Sequence, residues 1–213
     1  MKTTRLLPLI PYLAVVIGMY ILGSAWGAIG LYHAGMLASV IGLRFRDFRS
    51  AFAPLKSRNT GAKQRASWAW YLTAIVFAAG GVIFYIVWPG IDPEGTIAGR
   101  LGGFGLNRTI WPYFAVYFCV VNSFVEELFW RGLLGESTKI IRPNDLFFAG
   151  YHALVLAAFT DPMWIAPVFG ACVFAGWLWR FLRTTTGGLP VPIITHLAAD
   201  VGIVIAVHFR LYV

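Results

Sequence analysis

Apolar runs follow one another along almost the whole chain, at 6–24, 26–43, 68–89, 111–134, 146–160, 163–182 and 191–211. A backbone in lipid must satisfy its own hydrogen bonds, so runs near ~20 residues read as helices that cross a bilayer. The chain is 59% hydrophobic and only 12% charged, where a soluble domain carries about 25% charged residues. The expected fold class is therefore all-α: a polytopic transmembrane helical bundle of about seven spans, forming a single integral membrane domain over 1–213. Residues 6–43 are too long for one straight span. Gly23, Gly27 and Gly30 there offer two readings, a turn of the chain or a Gly23-x-x-x-Gly27 packing face for a neighbouring helix.

The net charge of +8 is not a nucleic-acid signature, because the basic residues gather at helix ends, where they set topology and meet anionic headgroups. The linker at 44–67 carries Arg44, Arg46, Arg49, Lys56, Arg58, Lys63 and Arg65 against Asp47 and is expected on the cytoplasmic side. Lys2 and Arg5 place the N-terminus there as well. The apolar run after them is too long for a secretory h-region, so an uncleaved first span is expected. The loop at 90–110 then falls outside. The chain returns near Arg131, Lys139 and Arg142, and again near Arg180 and Arg183. Cys119 and Cys172 lie in apolar runs and read as small core residues.

Against this background three clusters stand out: Glu126-Glu127-x-x-x-Arg131, Phe148-x-x-x-His152 and His196-x-x-x-Asp200. An ionisable side chain at membrane depth costs ~2.5–3.5 kcal/mol on insertion scales and generally faces a protein interior or a watery cavity. Glu126, His152 and His196 each lie about two turns from the expected cytoplasmic end of their helices, roughly 8–12 Å deep. Three clusters at one depth point to one polar site, and so to an enzyme or a transporter.

Successive helix residues point about 100° apart, so Glu126 and Glu127 cannot share a face. Glu127 and Arg131 are spaced i,i+4 with the acid first, the favoured order for a helical ion pair. Glu127 reads as the partner of Arg131. Glu126, whose own face carries Asn122 and Trp130, is left free to act as general base and then general acid. The competing reading is that both acids simply balance Arg131. A lone intramembrane histidine is more often a helix–helix hydrogen-bonding group, which is the reading for His33 and His208. His152 and His196 differ by sharing the depth of Glu126. Asp200 can orient or charge the ring of His196, and Phe148 either walls the site beside His152 or is an ordinary core- or lipid-facing aromatic.

These motifs, in this order and on separate helices, resemble the CPBP family. Its members are glutamic-type intramembrane proteases, among them the type II CAAX prenyl endopeptidases and bacteriocin-processing or immunity proteins. The resemblance spans about residues 111–205, the expected catalytic core in the C-terminal half. It implies peptide hydrolysis by an activated water, with no metal or other cofactor. Glu126 and His152 would hold and deprotonate the water, His196 and Asp200 would stabilise the oxyanion, and Glu127, Arg131 and Phe148 would brace the site. The implied partners are the bilayer and a membrane-anchored protein or peptide: a prenylated tail, a sorting tail or a leader. The implied location is an inner or plasma membrane with the site near the cytoplasmic side. Position 200 departs from the pattern, since family members with Asn there have a neutral donor. Asp200 can serve only by supporting a cationic His196 or by being protonated itself. Other readings use the same residues: a zinc-dependent protease with Glu126, His152, His196 and Asp200 as ligands, though no His-Glu-x-x-His occurs; a non-catalytic immunity or scaffold protein; and a proton-coupled transporter, against which a short chain without repeated halves argues.

Overall fold

The computed structural model describes residues 6–44, 60–138 and 140–213. Lys2, Arg5, Lys139 and most of the basic linker at 44–67, on which the expected orientation rests, lie outside the described residues. Among the described residues the regular structure is entirely helical.

Helix α1 (Leu7–Ile21) starts at prolines, Pro8 and Pro11, which suit a first helical turn because its N–H groups have no intrahelical partner. It ends at Gly23, whose φ of +58° favours a residue without Cβ. The chain then reverses into α2 (Ala25–Arg44). Of the two readings of the glycine-rich segment, the turn is realised at Gly23. The close approach of the hairpin falls instead at Gly18, where a Cβ would lie 2.1 Å from the Ala28 backbone.

Helix α3 (Thr60–Ile91) leads into a segment expected to be loop. That segment contains a short helix, α4 (Ile97–Gly103), started by Asp92, whose carboxylate accepts from the Thr96 N–H at 2.7 Å. Apolar periodicity does not reveal α4, because local capping rather than a hydrophobic run specifies it. Helix α5 occupies 111–133 and alternates α-helical turns with wider i→i+5 turns at Phe118–Asn122 and Glu127–Leu133. Helix α6 (Pro143–Leu156) opens with a capping box in which Asp145 accepts from the Arg142 N–H. Helix α7 (Ile165–Thr186) stops at Gly187 with φ +82°, a left-handed helix end. Helix α8 (Pro190–Leu211) closes the chain.

Among the described residues, four stretches are long and apolar enough to cross a bilayer: Ala25–Leu43, Thr73–Ile91, Pro162–Thr186 and Pro190–Leu211. The other expected spans are helices of a different kind. Leu7–Ile21 is a shorter apolar helix, and α6 has 14 residues, about 21 Å at 1.5 Å each against a core of about 30 Å. Helix α5 carries Glu126, Glu127 and Arg131, all buried. The polar cluster that identifies the site also removes this helix from the purely apolar class.

The main core joins α1, α2, α5, α6 and α7 around Met36, Phe129, Phe148, Trp179 and Leu189. A second core, around Trp88, Leu101, Leu106 and Trp111, binds α4 to the ends of α3 and α5. Arg180, by sequence a topology-setting charge at a helix end, is instead buried. Its Nε and Nη2 donate to both oxygens of Asp145 at 3.1 and 2.7 Å, and Nη2 donates also to the Ile140 carbonyl. This pairing ties the α5–α6 connection under α7.

Helices α3 and α8 cross backbone to backbone. A Cβ on Gly81 would sit 2.2 Å from the Gly202 carbonyl oxygen, while one on Gly80 would meet nothing within 4 Å. Gly81→Ala should therefore destabilise the fold by about 1–3 kcal/mol through overpacking. Gly80→Ala should be neutral or mildly stabilising, since Ala is the better helix former. Thermal melting in detergent compares them, and equal melting points would contradict this crossing.

Candidate active site

Glu126 is 1% exposed and receives two phenol hydroxyls on one oxygen. Tyr32 of α2 and Tyr151 of α6 both donate to Oε1, the latter at 2.6 Å. The other oxygen, Oε2, accepts no hydrogen bond from the described residues and faces His196 Nε2 at 3.7 Å. The two hydroxyls are 2.9 Å apart, and that of Tyr151 also lies 3.2 Å from His152 Nε2. His152 Nδ1 stands 2.8 Å from the Phe148 carbonyl, which can only accept. Nδ1 therefore carries the proton, and in the neutral ring Nε2 bears the lone pair.

Glu127 and Arg131 form the expected i,i+4 pair, with Arg131 Nη1 donating to Oε1 at 3.0 Å; their side chains are 0% and 2% exposed. Glu127 does more than its spacing suggests. The same Oε1 accepts from His196 Nδ1 at 2.9 Å. The bond that orients His196 thus comes from Glu127 rather than Asp200, whose Oδ1 is 3.6 Å from Nε2. Trp179 of α7 stacks on the His196 ring at 3.9 Å and 15°. The Arg131 guanidinium lies over Phe148 at 4.3 Å and Trp179 at 5.1 Å, and its Nη2 donates to the Gly176 carbonyl. Phe148 touches the rings of both His152 and His196.

Asp200 is fixed from its other side. The Ser123 hydroxyl reaches its Oδ2 at 2.8 Å. Ser123 Oγ lies closer still to the Cys119 carbonyl, at 2.6 Å, yet has one proton to give. His33 bridges Tyr117 and Asn122, the helix–helix role expected of it. His208 lies apart, against Phe209 and Tyr212. Cys119 and Cys172 are both free.

All three sequence clusters meet here. Glu126, Glu127, His196 and Asp200 lie within a few ångströms of one another, and His152 joins them through Tyr151. Tyr32, Tyr151 and Trp179 are site residues that the sequence does not single out. Tyr151 stands inside the Phe148–His152 motif, and a buried phenol generally needs a polar partner, but nothing in the sequence says which; Trp179 joins the site by ring stacking alone, its Nε1 having no hydrogen-bond partner among the described residues. Among the described residues, no group of three or more His, Cys, Asp or Glu side chains is disposed to hold a metal ion.

The site combines buried carboxylates, one permanently charged guanidinium and two histidines, a set able to move a proton and stabilise a developing negative charge. Residues 108–202 match the family model described as type II CAAX prenyl endopeptidase Rce1-like. No curated protein and no solved structure matches the chain.

Proposed function

Residues 108–202 belong to the type II CAAX prenyl endopeptidase Rce1-like family, and on that premise we propose that the protein is an intramembrane endopeptidase. It cuts a peptide bond near the membrane end of a prenylated protein tail, using a water activated by Glu126 and His152. The observation that carries this reading is Oε2 of a buried Glu126, which accepts no hydrogen bond from the described residues and faces His196 Nε2 at 3.7 Å.

The water donates one hydrogen to Glu126 Oε2 and the other to the lone pair on His152 Nε2. As its oxygen adds to the scissile carbonyl carbon, Glu126 takes the proton. With Nδ1–H committed to Glu127, an imidazolium at His196 points Nε2–H at the developing oxyanion; at rest that N–H faces Glu126 and Asp200. Glu126 then returns its proton to the leaving nitrogen as the C–N bond breaks. Asp200, tied to Ser123, acts beside His196 on the oxyanion. Glu127, Arg131 and Phe148 hold these groups in register. The site lies near the cytoplasmic face of a multi-pass protein, where a lipid-anchored tail enters from the bilayer. The family's substrate class and the apolar helices around the site support that route.

The test offers purified protein a farnesylated peptide and its unmodified counterpart, with and without 1,10-phenanthroline, and detects the released C-terminal peptide by mass spectrometry. Chelator-insensitive cleavage of the farnesylated peptide is expected. Cleavage of both peptides alike would leave the hydrolase and discard the substrate class. No cleavage, or cleavage only with added zinc, would defeat the mechanism.

A further inference from the structure

The family match begins at residue 108, yet one of the two hydroxyls on Glu126 comes from Tyr32 in α2. The carboxylate has two chemically equivalent oxygens, and its surroundings make them different. Oε1 takes both phenols, from Tyr32 and Tyr151, while Oε2 takes no protein donor among the described residues. Proton counting sharpens the contrast. The two phenols have two protons, and both can be placed on Oε1. The Tyr151 oxygen then faces His152 Nε2 with no proton to give, so that lone pair also stays open.

The donors are held on a fixed frame. Tyr32 and Tyr151 are 5% and 4% exposed, with rings 5.4 Å apart. Tyr151 stacks on Trp130 at 6.0 Å and 4°. Helix α1 braces the same place: Tyr12 donates to the Phe147 carbonyl at 2.9 Å and sets its ring edge against Tyr151. Its hydroxyl fits because residue 150 is glycine; a Cβ there would lie 2.1 Å from Tyr12 Oη. Two helices outside the matched segment therefore grip the strip of α6 that carries Tyr151 and His152.

We propose that Tyr32 and Tyr151 are positioning residues that fasten Glu126 by Oε1 and leave Oε2 as its one proton-accepting oxygen, so that the α1–α2 hairpin completes the site. The inference rests on the reading of Glu126 as general base. It adds that the N-terminal hairpin is part of the machinery rather than an anchor alone.

The test uses the full chain with Tyr32→Phe and Tyr151→Phe, each of which removes one oxygen atom. Each variant should lower kcat about 10–100-fold, the loss expected for a hydrogen bond to a charged group, with KM within about twofold. In a Glu126→Gln background, neither should lower the residual rate further. A second readout needs no turnover. Infrared difference spectra of wild type minus each Phe variant should show a shifted carboxylate stretch that disappears in the Glu126→Gln background. Unchanged kcat with an unmoved carboxylate band would overturn the proposal, as would a KM effect alone. If wild-type protein cleaves no peptide, the proposed function fails, and the infrared comparison alone still decides whether these phenols hold Glu126. Should one variant not fold, the other carries the test, because both hydroxyls serve the same oxygen.

Discussion

Glu126→Gln should remove turnover, lowering kcat by about 10²–10⁴, the range for loss of a general base, while the protein still folds. The amide keeps an oxygen where Tyr32 and Tyr151 donate to Oε1. What it replaces is Oε2, the oxygen without a protein donor, by an NH2 group that cannot take a proton from water. The packing of the site stays intact and only the proton acceptor is lost. Single-turnover cleavage and thermal melting, measured on the same preparation, read the two quantities separately. A Glu126→Gln protein that cleaves at the wild-type rate would move the base elsewhere in the cluster.

Glu127→Gln should do the reverse and strike at folding first. Its carboxylate answers both the Arg131 guanidinium and His196 Nδ1 through one oxygen, inside a site where Glu127 is fully buried. The substituted amide would still offer an acceptor, but Arg131 would keep its charge with no anion in contact. Phe148, Trp179 and the Gly176 carbonyl would remain its neighbours, and they do not cancel a full charge. Breaking a buried pair in this way costs about 3–5 kcal/mol, enough to be seen as a lower yield of folded protein and a lower melting point. A well-folded but inactive Glu127→Gln protein, together with an active Glu126→Gln protein, would exchange the roles of the two acids.

The difference between adjacent glutamates is legible because helical spacing is a local property. Glu127 and Arg131 are one turn apart whatever surrounds them, and the pair forms as the spacing predicts. The helices themselves are legible for a similar reason, since each apolar run must satisfy its own backbone. Partnerships between helices are harder. Nothing in the order of residues says that Tyr32 faces Glu126 across 94 positions of chain. Nor does it show that Arg180 leaves the surface for Asp145. Asp200, read as able to orient or charge His196, stands 3.6 Å from its Nε2 as the i,i+4 spacing predicts, while the shorter bond to the ring comes from Glu127 on another helix. Helix α4 escapes notice because a cap, Asp92, starts it without an apolar stripe long enough to detect. Of the expected spans, four of those among the described residues are long and apolar enough to cross a bilayer, and the others are short or polar helices.

The wider turns of α5 carry a consequence for how such a chain tolerates insertion and deletion. The i→i+5 stretch at Phe118–Asn122 lies about one turn before the two acids, and it holds more residues per turn than an α-helix. Deleting one residue there, with relaxation to ordinary helix, would leave the downstream faces nearly where they are; deleting one with the wide turns kept would rotate everything downstream by about 100°. In that second case Glu126 would swing away from Tyr32 and Tyr151, although every functional side chain would still be present. Point changes at the outward positions Val116 and Val120, 67% and 58% exposed, need only preserve apolar character. Chain length between Trp111 and Glu126 can thus shorten by one residue without displacing the acids, a slack that an unbroken α-helix does not have.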